Sequence, residues 1–316
     1  MVDRIEETAI VPIDLARSRF DRAAADLFPE FSRARLQQWI QSGELTVDGA
    51  TQQPKFKVNA GAVITINAVP EVLEDHPEEI PLEIVFEDES ILVVNKPTGL
   101  VVHPGAGNRT GTMLNALLHH CADLEAVPRA GIVHRLDKET TGLMVVAKTL
   151  QAQTHLVAEL QEREVSRIYE ALVYGVVQRP GFVDAAMGRH HTQRTKMTIR
   201  DDGKPAVTHY RAIQTFSRYT RLELALETGR THQIRVHMQH LGYPLIGDPT
   251  YGGHFRSPPA PSAPELEEAL RSFPRQALHA RRLSFIHPTT LEGVSFETKL
   301  PEDMRSFLKV LETYAS

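Results

Sequence analysis

Apolar and polar positions divide the chain into two regimes. Through residues 13–69 helical spacing comes first and strict alternation second. Leu36, Trp39 and Ile40 share one face of a helix predicted from Arg33 to about Gln41, with Ser32 as its N-cap and Gly43 in the left-handed conformation that ends it. Period-two runs follow at Leu45-Thr-Val and Val63-Ile-Thr-Ile, and Asp48-Gly49 is a turn dipeptide between apolar segments. Two helices and short strands predict a compact α+β module over residues 13–75. Residues 70–81 lose the periodicity, are acidic and carry three prolines, which is linker composition.

From Leu82 to residue 316 period two dominates. Runs beginning at Ile84, Ile91, Gly131, Leu143, Tyr169, Ala206 and Arg221 read as strands. Helical spacing appears at 113–120, 154–161, 231–241, 265–273 and 302–314, the third with Thr231 as its cap. Strands and helices alternate irregularly, so residues 82–316 are expected to be an α+β domain with a mainly antiparallel sheet, not a doubly wound parallel fold. The proline-rich stretch from Ser257 predicts a surface loop.

Composition adds limits. A chain of 316 residues, 41% hydrophobic and 24% charged, has room for two soluble units. The single cysteine, Cys121, fits a reducing compartment. The charged first residues lack the apolar region of a secretory signal, and no window approaches the roughly 18 apolar residues of a membrane span. A cytoplasmic monomer with no membrane partner is expected.

No Walker A or HExxH pattern occurs, and the glycine-rich run at Gly105 has Thr110 where a dinucleotide fingerprint needs its third glycine. Fifteen histidines show no tight ligand spacing. The expected chemistry therefore uses neither bound nucleotide nor metal, and no cofactor.

Net charge is −5, so any affinity for nucleic acid must come from local clusters. Arg17, Arg19, Arg22, Arg33 and Arg35 form one near the two N-terminal helices. Seven Lys and Arg face six Asp and Glu between residues 13 and 70, so segregation onto one face must make that surface, and a merely solvated face is the alternative. Residues 188–200 form a second cluster, read as a loop, with Arg189, Arg194 and Lys196 and no acidic residue.

One segment concentrates charge between apolar runs. His134, Arg135, Asp137, Lys138 and Glu139 follow Gly131-Ile-Val and precede Leu143-Met-Val-Val-Ala. Taken locally, Asp137 caps a turn. So many charges beside buried strands are costly unless they are paired or used.

These residues, Gly131-Ile-Val-His-Arg-Leu-Asp-Lys-Glu-Thr-Thr-Gly-Leu-Met-Val-Val-Ala-Lys, resemble the signature of the RluA-type pseudouridine synthases. Asn95-Lys-Pro-Thr-Gly-Leu-Val-Val-His-Pro resembles that family's first motif and Arg167-Ile-Tyr its tyrosine motif. Leu226-Glu-Thr-Gly-Arg-Thr-His-Gln-Ile-Arg-Val-His-Met resembles its third. The N-terminal module resembles an S4 RNA-binding domain. The likeness spans nearly the whole chain and is strongest to the RluD-like subgroup, which acts on large-subunit (23S) ribosomal RNA.

The resemblance implies isomerisation of uridine to pseudouridine, in which the N-glycosidic bond breaks, the base turns, and a carbon–carbon bond replaces it. It implies Asp137 as the catalytic carboxylate, attacking ribose, attacking the base or assisting elimination; the sequence does not choose among these. An ionised carboxylate in a dry pocket needs a cationic partner, and the resemblance points to Arg235. It sets Tyr169 under the target base, where stacking contributes roughly 1–3 kcal/mol, although a tyrosine in a β-run is also an ordinary core residue.

The target must be flipped out of its stem, and Arg135 is the side chain placed to enter the vacated space. His134, Lys138, Arg230, His232, Lys96 and His103 complete the expected substrate-binding set, with Lys96-Pro97 equally a strand-ending turn. Ribosomal RNA is the expected partner, and the resemblance suggests the loop of helix 69 as the target. Transfer RNA as substrate, or a non-catalytic ribosome-assembly factor, are the alternatives.

Overall fold

A computed structural model describes residues 5–29, 31, 33–68, 76–105, 107–193, 195–252 and 263–315, with the side chains of residues 33–35 left out. The expected Ser32 cap, the linker residues 70–75 and the proline-rich loop up to residue 262 lie outside that set. The chain divides into two compact units, Met1–Glu74 and Asp75–Ser316. Among the described residues no helix is long and apolar enough to cross a membrane.

In the first unit β1 (Ile5–Ile10), α1 (Phe20–Leu27), α2 (Arg33–Ser42), β2 (Leu45–Val47) and β3 (Val63–Ala68) build an antiparallel sheet of order β1–β3–β2 under two helices. Phe20, Ala23 and Ala24 of α1 and Leu36, Trp39 and Ile40 of α2 pack on Leu45, Ile64 and Ile66 of the sheet. Gly43 has φ +83°, and Asp48 and Gly49 have φ +50° and +77°. The N–H and C=O groups of Val47 and Ala50 bond reciprocally across that turn, which is the tight geometry that Asp-Gly favours. β1 lies ahead of residue 13, where the sequence reading begins the module. Its side chains alternate between half-buried and exposed, so its pattern is weak.

The second unit contains β4 (Glu83–Glu87), β5 (Ile91–Lys96), α3 (Met113–His120), β6 (Thr141–Ala147), α4 (Leu150–Glu162), β7 (Ser166–Tyr174), β8 (Gly181–Asp184), β9 (Met187–Arg189) and β10 (Met197–Ile199). β11 (Val207–Thr215), β12 (Tyr219–Leu226), α5 (Gln233–His240), α6 (Pro264–Ser272), β13 (Leu278–Ile286), β14 (Gly293–Glu297) and α7 (Glu302–Tyr314) complete it. Nine strands form one sheet of order β4–β5–β6–β13–β7–β12–β11–β8, with β14 beside β13. Every pairing is antiparallel except β6 with β13. The expected α+β fold with a mainly antiparallel sheet is the one observed.

Both faces of this sheet are covered. Leu92, Val94, Met144, Val146, Tyr169 and Ala171 point to one face, where Met113 and Leu117 of α3 and Ile234 and Met238 of α5 meet them. The alternate residues Ile91, Val93, Leu143 and Val145 point the other way, against Ala152 and Leu156 of α4. Farther along that second face α6 and α7 pack on Leu172 and Tyr219. Burial on both sides explains why β5 and β6 read as continuous apolar runs. It also divides the helices: α3 and α5 lie on one face, and α4, α6 and α7 back the other.

Two glycines fix the segment between β6 and the preceding turn. A Cβ on Gly131, at φ +73°, would sit 1.8 Å from the carbonyl oxygen of Ala147. One on Gly142, at φ +117°, would sit 2.2 Å from that of Ala280, where β6 meets β13. Neither backbone nor φ accommodates a side chain there. Gly142→Ala is therefore expected to lower unfolding stability by about 3–5 kcal/mol, in the severe range for one substitution. Urea denaturation measures it, and a loss under about 1 kcal/mol would show that β6 and β13 separate freely.

Candidate active site

The segment carrying Asp137 is not regular structure. In place of the strand expected at Gly131-Ile-Val, residues Pro128–Gly131 form a 3-10 turn with Arg129 and Ala130 in left-handed conformations. Only Ile132 makes a bridge, to Val146. His134 supplies the next tie: its Nε2 accepts the N–H of Val145 at 3.1 Å, which requires a neutral ring. Burial, with help from the Arg167 guanidinium, pushes its pKa down to about 3. His134 thus serves the backbone through Nε2.

The turn at Asp137 is then clamped by two buried cations. The Thr140 N–H donates to the Asp137 carbonyl at 3.0 Å, closing the turn. Lys96 Nζ donates to the carbonyls of Lys138, Leu100 and Pro97 at 2.9, 2.9 and 2.7 Å, which uses all three of its N–H groups. Burial lowers this ammonium to about 7 against the opposing pull of Glu139 and Asp137. Lys96 is therefore a backbone tie and not a cleft-lining cation. From the other side Arg275, 2% exposed, donates to the Glu139 carbonyl at 3.1 Å while Asp303 of α7 holds its Nε and Nη2.

α5 delivers the partner. Its N-cap is His232 in the left-handed conformation (φ +58°), not Thr231. The free N–H of Arg230 is taken by the Gln233 side chain at 3.0 Å. One turn on, Arg235 projects into the site with its side chain 6% exposed. Its Nη1 donates to Asp137 Oδ2 at 3.0 Å, as the spacing-distant pairing expected from the sequence requires. Its Nε and Nη2 donate to Asp248 at 2.7 and 2.9 Å.

Asp248 was not among the expected site residues. It is fully enclosed and also accepts the N–H groups of Thr250 and Tyr251. Burial works to raise its pKa, but the bonds from Arg235 and from those two amides outweigh burial and hold it below the ordinary carboxylate value. One guanidinium thus faces two carboxylates. Asp248 takes most of its hydrogen bonds, and Asp137, 18% exposed, keeps a single bond and stays open to a ligand.

Tyr169 lies on β7, buried at 6%, on the same sheet face as Leu136 and Ile234. Burial raises its phenol, the Arg167 cation lowers it, and the Asp137 carboxylate raises it. Arg167, two residues earlier on the same face, is another group missing from the expected set. It is 8% exposed, its Nε has no partner among the described residues, and its Nη2 reaches the Glu227 carbonyl at 3.3 Å.

His232 stands on the other side of Asp137, with Nε2 3.9 Å from Oδ1 and Nδ1 2.8 Å from the Tyr251 hydroxyl. Arg135, Lys138 and Arg230 are exposed beside this cluster, and His103 is half-buried in the turn after β5. Among the described residues no group of three His, Cys, Asp or Glu side chains is arranged for a metal ion.

The basic segment 188–200 is a loop carried between two short paired strands, β9 and β10. Arg189 is exposed on β9 and Lys196 half-buried just before β10, while Arg194 lies outside the described residues. An open groove of about 470 Å³ runs between this hairpin and the turn before α5, lined by Arg189, Met197, Arg200, Lys204, Arg230 and Thr231.

In the first unit Arg17 and Arg22 are exposed. Arg19 is committed to the buried Asp21 through two bonds of 2.9 Å, so it is a structural ion pair and not a free RNA contact. The side chains of Arg33 and Arg35 lie outside the described residues.

Comparison with known proteins agrees with this geometry. The family model for RNA pseudouridylate synthase matches residues 90–240. "Ribosomal large subunit pseudouridine synthase D" of Pseudomonas aeruginosa is 57% identical over 312 residues, covering 98% of this chain and 97% of that protein. The protein of the same name from Escherichia coli K12 is 50% identical over 313 residues, covering 98% and 96%. Among solved structures, human RNA pseudouridylate synthase domain containing 4 is 28% identical with a TM-score of 0.57, covering 73% of this chain and 93% of that one. Near-full-length identity of this degree, on a sheet of this topology, makes the chain a member of the RluA-type family of RNA pseudouridine synthases, which are isomerases.

Proposed function

We propose that this enzyme converts uridines of large-subunit ribosomal RNA to pseudouridine, the loop of helix 69 being its target, with Asp137 as the essential carboxylate. The Arg235–Asp137 bond carries this reading: it holds a partly exposed carboxylate by one oxygen and leaves the other 3.9 Å from His232 Nε2. The names of the full-length relatives support the choice of RNA.

The target base leaves its stem at a cost of a few kcal/mol. Arg135, exposed two residues before Asp137, enters the space it vacates. Tyr169 underlies the extruded base, and Lys138, Arg230, His232 and His103 line its approach. Arg189, Arg194 and Lys196 of the hairpin contact the RNA backbone. The first unit acts as an S4-like RNA-binding module through Arg17 and Arg22, with Arg33 and Arg35 on α2. The enzyme works in the cytoplasm on free or assembling large subunits.

A pseudouridine map of total RNA from cells lacking the protein tests the reading. Loss of pseudouridine in the helix 69 loop is expected, with transfer RNA unchanged. Loss confined to transfer RNA would replace the substrate, and an unchanged map would leave a non-catalytic RNA-binding factor.

A further inference from the structure

Tyr251 is tied to the site at three points. Its backbone N–H donates to Asp248 Oδ1 at 2.9 Å. Its ring faces Arg235, with the guanidinium carbon 5.0 Å from the ring centroid, a cation–π contact on the residue that holds Asp137. Its hydroxyl oxygen accepts the N–H of Met197 at 2.8 Å and lies 2.8 Å from His232 Nδ1.

A phenol has one proton. With its oxygen accepting from Met197, that proton is free to be donated to Nδ1. Nδ1 accepts that proton only in a neutral ring, the form that burial of His232 also favours. The neutral ring then carries its own proton on Nε2, the nitrogen that faces Asp137 Oδ1 at 3.9 Å. The second oxygen of Asp137 is thus presented with a donor whose tautomer is set by Tyr251.

Met197 is the first residue of β10, in the hairpin that also carries Arg189 and Lys196. Its N–H leaves the hairpin ladder and ends on Tyr251. Beneath the hairpin Tyr251 packs with Met187, Val236, Met197 and Ile199 in a small apolar cluster of its own. One side chain therefore joins the basic hairpin to both groups that flank the carboxylate.

We propose that Tyr251 is a positioning residue that couples the basic hairpin to the Asp137–Arg235 pair. An RNA strand held by the hairpin fixes the Met197 amide, the amide fixes the Tyr251 hydroxyl, and the hydroxyl orients His232 against Asp137. The inference rests on the reading of Asp137 as the essential carboxylate.

Tyr251→Phe tests it, because it removes one oxygen and keeps both the ring over Arg235 and the amide bond to Asp248. With a large-subunit rRNA transcript, single-turnover conversion at saturating RNA is expected to fall about tenfold, the effect of one lost hydrogen bond. Affinity for the transcript and melting temperature are expected to stay at wild-type values. Met197→Pro, which deletes the donor N–H, is expected to slow turnover by a similar factor and to add nothing in the Tyr251→Phe background.

Wild-type turnover in Tyr251→Phe, or factors that multiply in the double variant, would overturn the coupling. So would a fall in affinity that matches the fall in rate, because it would make Tyr251 a binding residue. Asp137→Asn in the same assay separates the two ideas. If that variant turns over, the reading of the site fails; if it is inactive and Tyr251→Phe is normal, only the coupling falls.

Discussion

Asp137→Asn is expected to lose turnover by a factor of about 10³ or more, equivalent to at least about 4 kcal/mol of transition-state stabilisation, while binding RNA as the wild type does. Asparagine has the same shape, and its amide oxygen can still accept Arg235 Nη1. What disappears is the charge and with it the nucleophile or base. The wild-type cluster sets one guanidinium against two carboxylates. Removing one carboxylate leaves Arg235 and Asp248 as a balanced buried pair, so the inactive variant is expected to melt at or slightly above the wild-type temperature. An active-site group that costs stability is the usual trade between function and fold. Single-turnover conversion and thermal melting, measured together, decide; turnover within tenfold of wild type would remove Asp137 from the chemistry.

Arg235→Met carries the second large effect, and its signature is the opposite. It leaves Asp248 charged, enclosed and without its cation, and breaking a buried pair from one side costs about 3–5 kcal/mol. For a unit the size of Asp75–Ser316 that corresponds to a fall in melting temperature of roughly 6–20 °C. Turnover is lost as well, because Asp137 loses the bond that orients it.

Adding Asp248→Asn is expected to recover much of the stability, since the uncharged amide still accepts the N–H groups of Thr250 and Tyr251. It does not recover turnover. That difference separates what Arg235 does for the fold through Asp248 from its bond to Asp137. The linkage sign follows from Asp248, whose folded pKa is depressed. Its contribution to stability is complete above the unfolded carboxylate value near ~4 and is lost as pH falls through the lower folded value. A single variant whose acid unfolding matches the wild type would contradict this assignment.

Much of the fold is legible where local signals agree. α3 and α7 fall on residues 113–120 and 302–314, as the periodicity predicts, and α3 begins at a capping box between Thr112 and Asn115. α4 begins four residues before its predicted start because Thr149, the residue that caps it, precedes the apolar stripe.

β13 is invisible to period two for a physical reason. Its register shifts between Ala280 and Arg282, and it buries His279, so neither alternation nor hydrophobicity marks it. β9 and β10 are three residues each, too short for alternation to mark them, and their mutual pairing makes them strands.

The site divides in the same way. The pairing of Asp137 with Arg235 is readable because a family resemblance joins segments that lie far apart in sequence. Asp248 is not, since Gly-Asp-Pro is ordinary turn composition and nothing local ties it to a guanidinium thirteen residues earlier. Lys96 and His134 were read as cleft groups because they neighbour the motif. Their hydrogen bonds to backbone make both side chains supports of the loop that presents Asp137.

The hold of Arg275 on the Glu139 carbonyl bears on where a minimal enzyme ends. Residues 90–240 contain Asp137, Tyr169 and Arg235, yet the carboxylate behind Arg235, the cation under the Asp137 turn and the acid that anchors that cation all lie beyond them. α7 is a strut of the Asp137 turn through Asp303. A truncation that spares every residue near the uridine but removes this last helix would leave Arg275 buried without its counter-ion and the Asp137 loop without its anchor. The hold on the Asp137 turn is set by this chain of supports, and it reaches to the C-terminal helix.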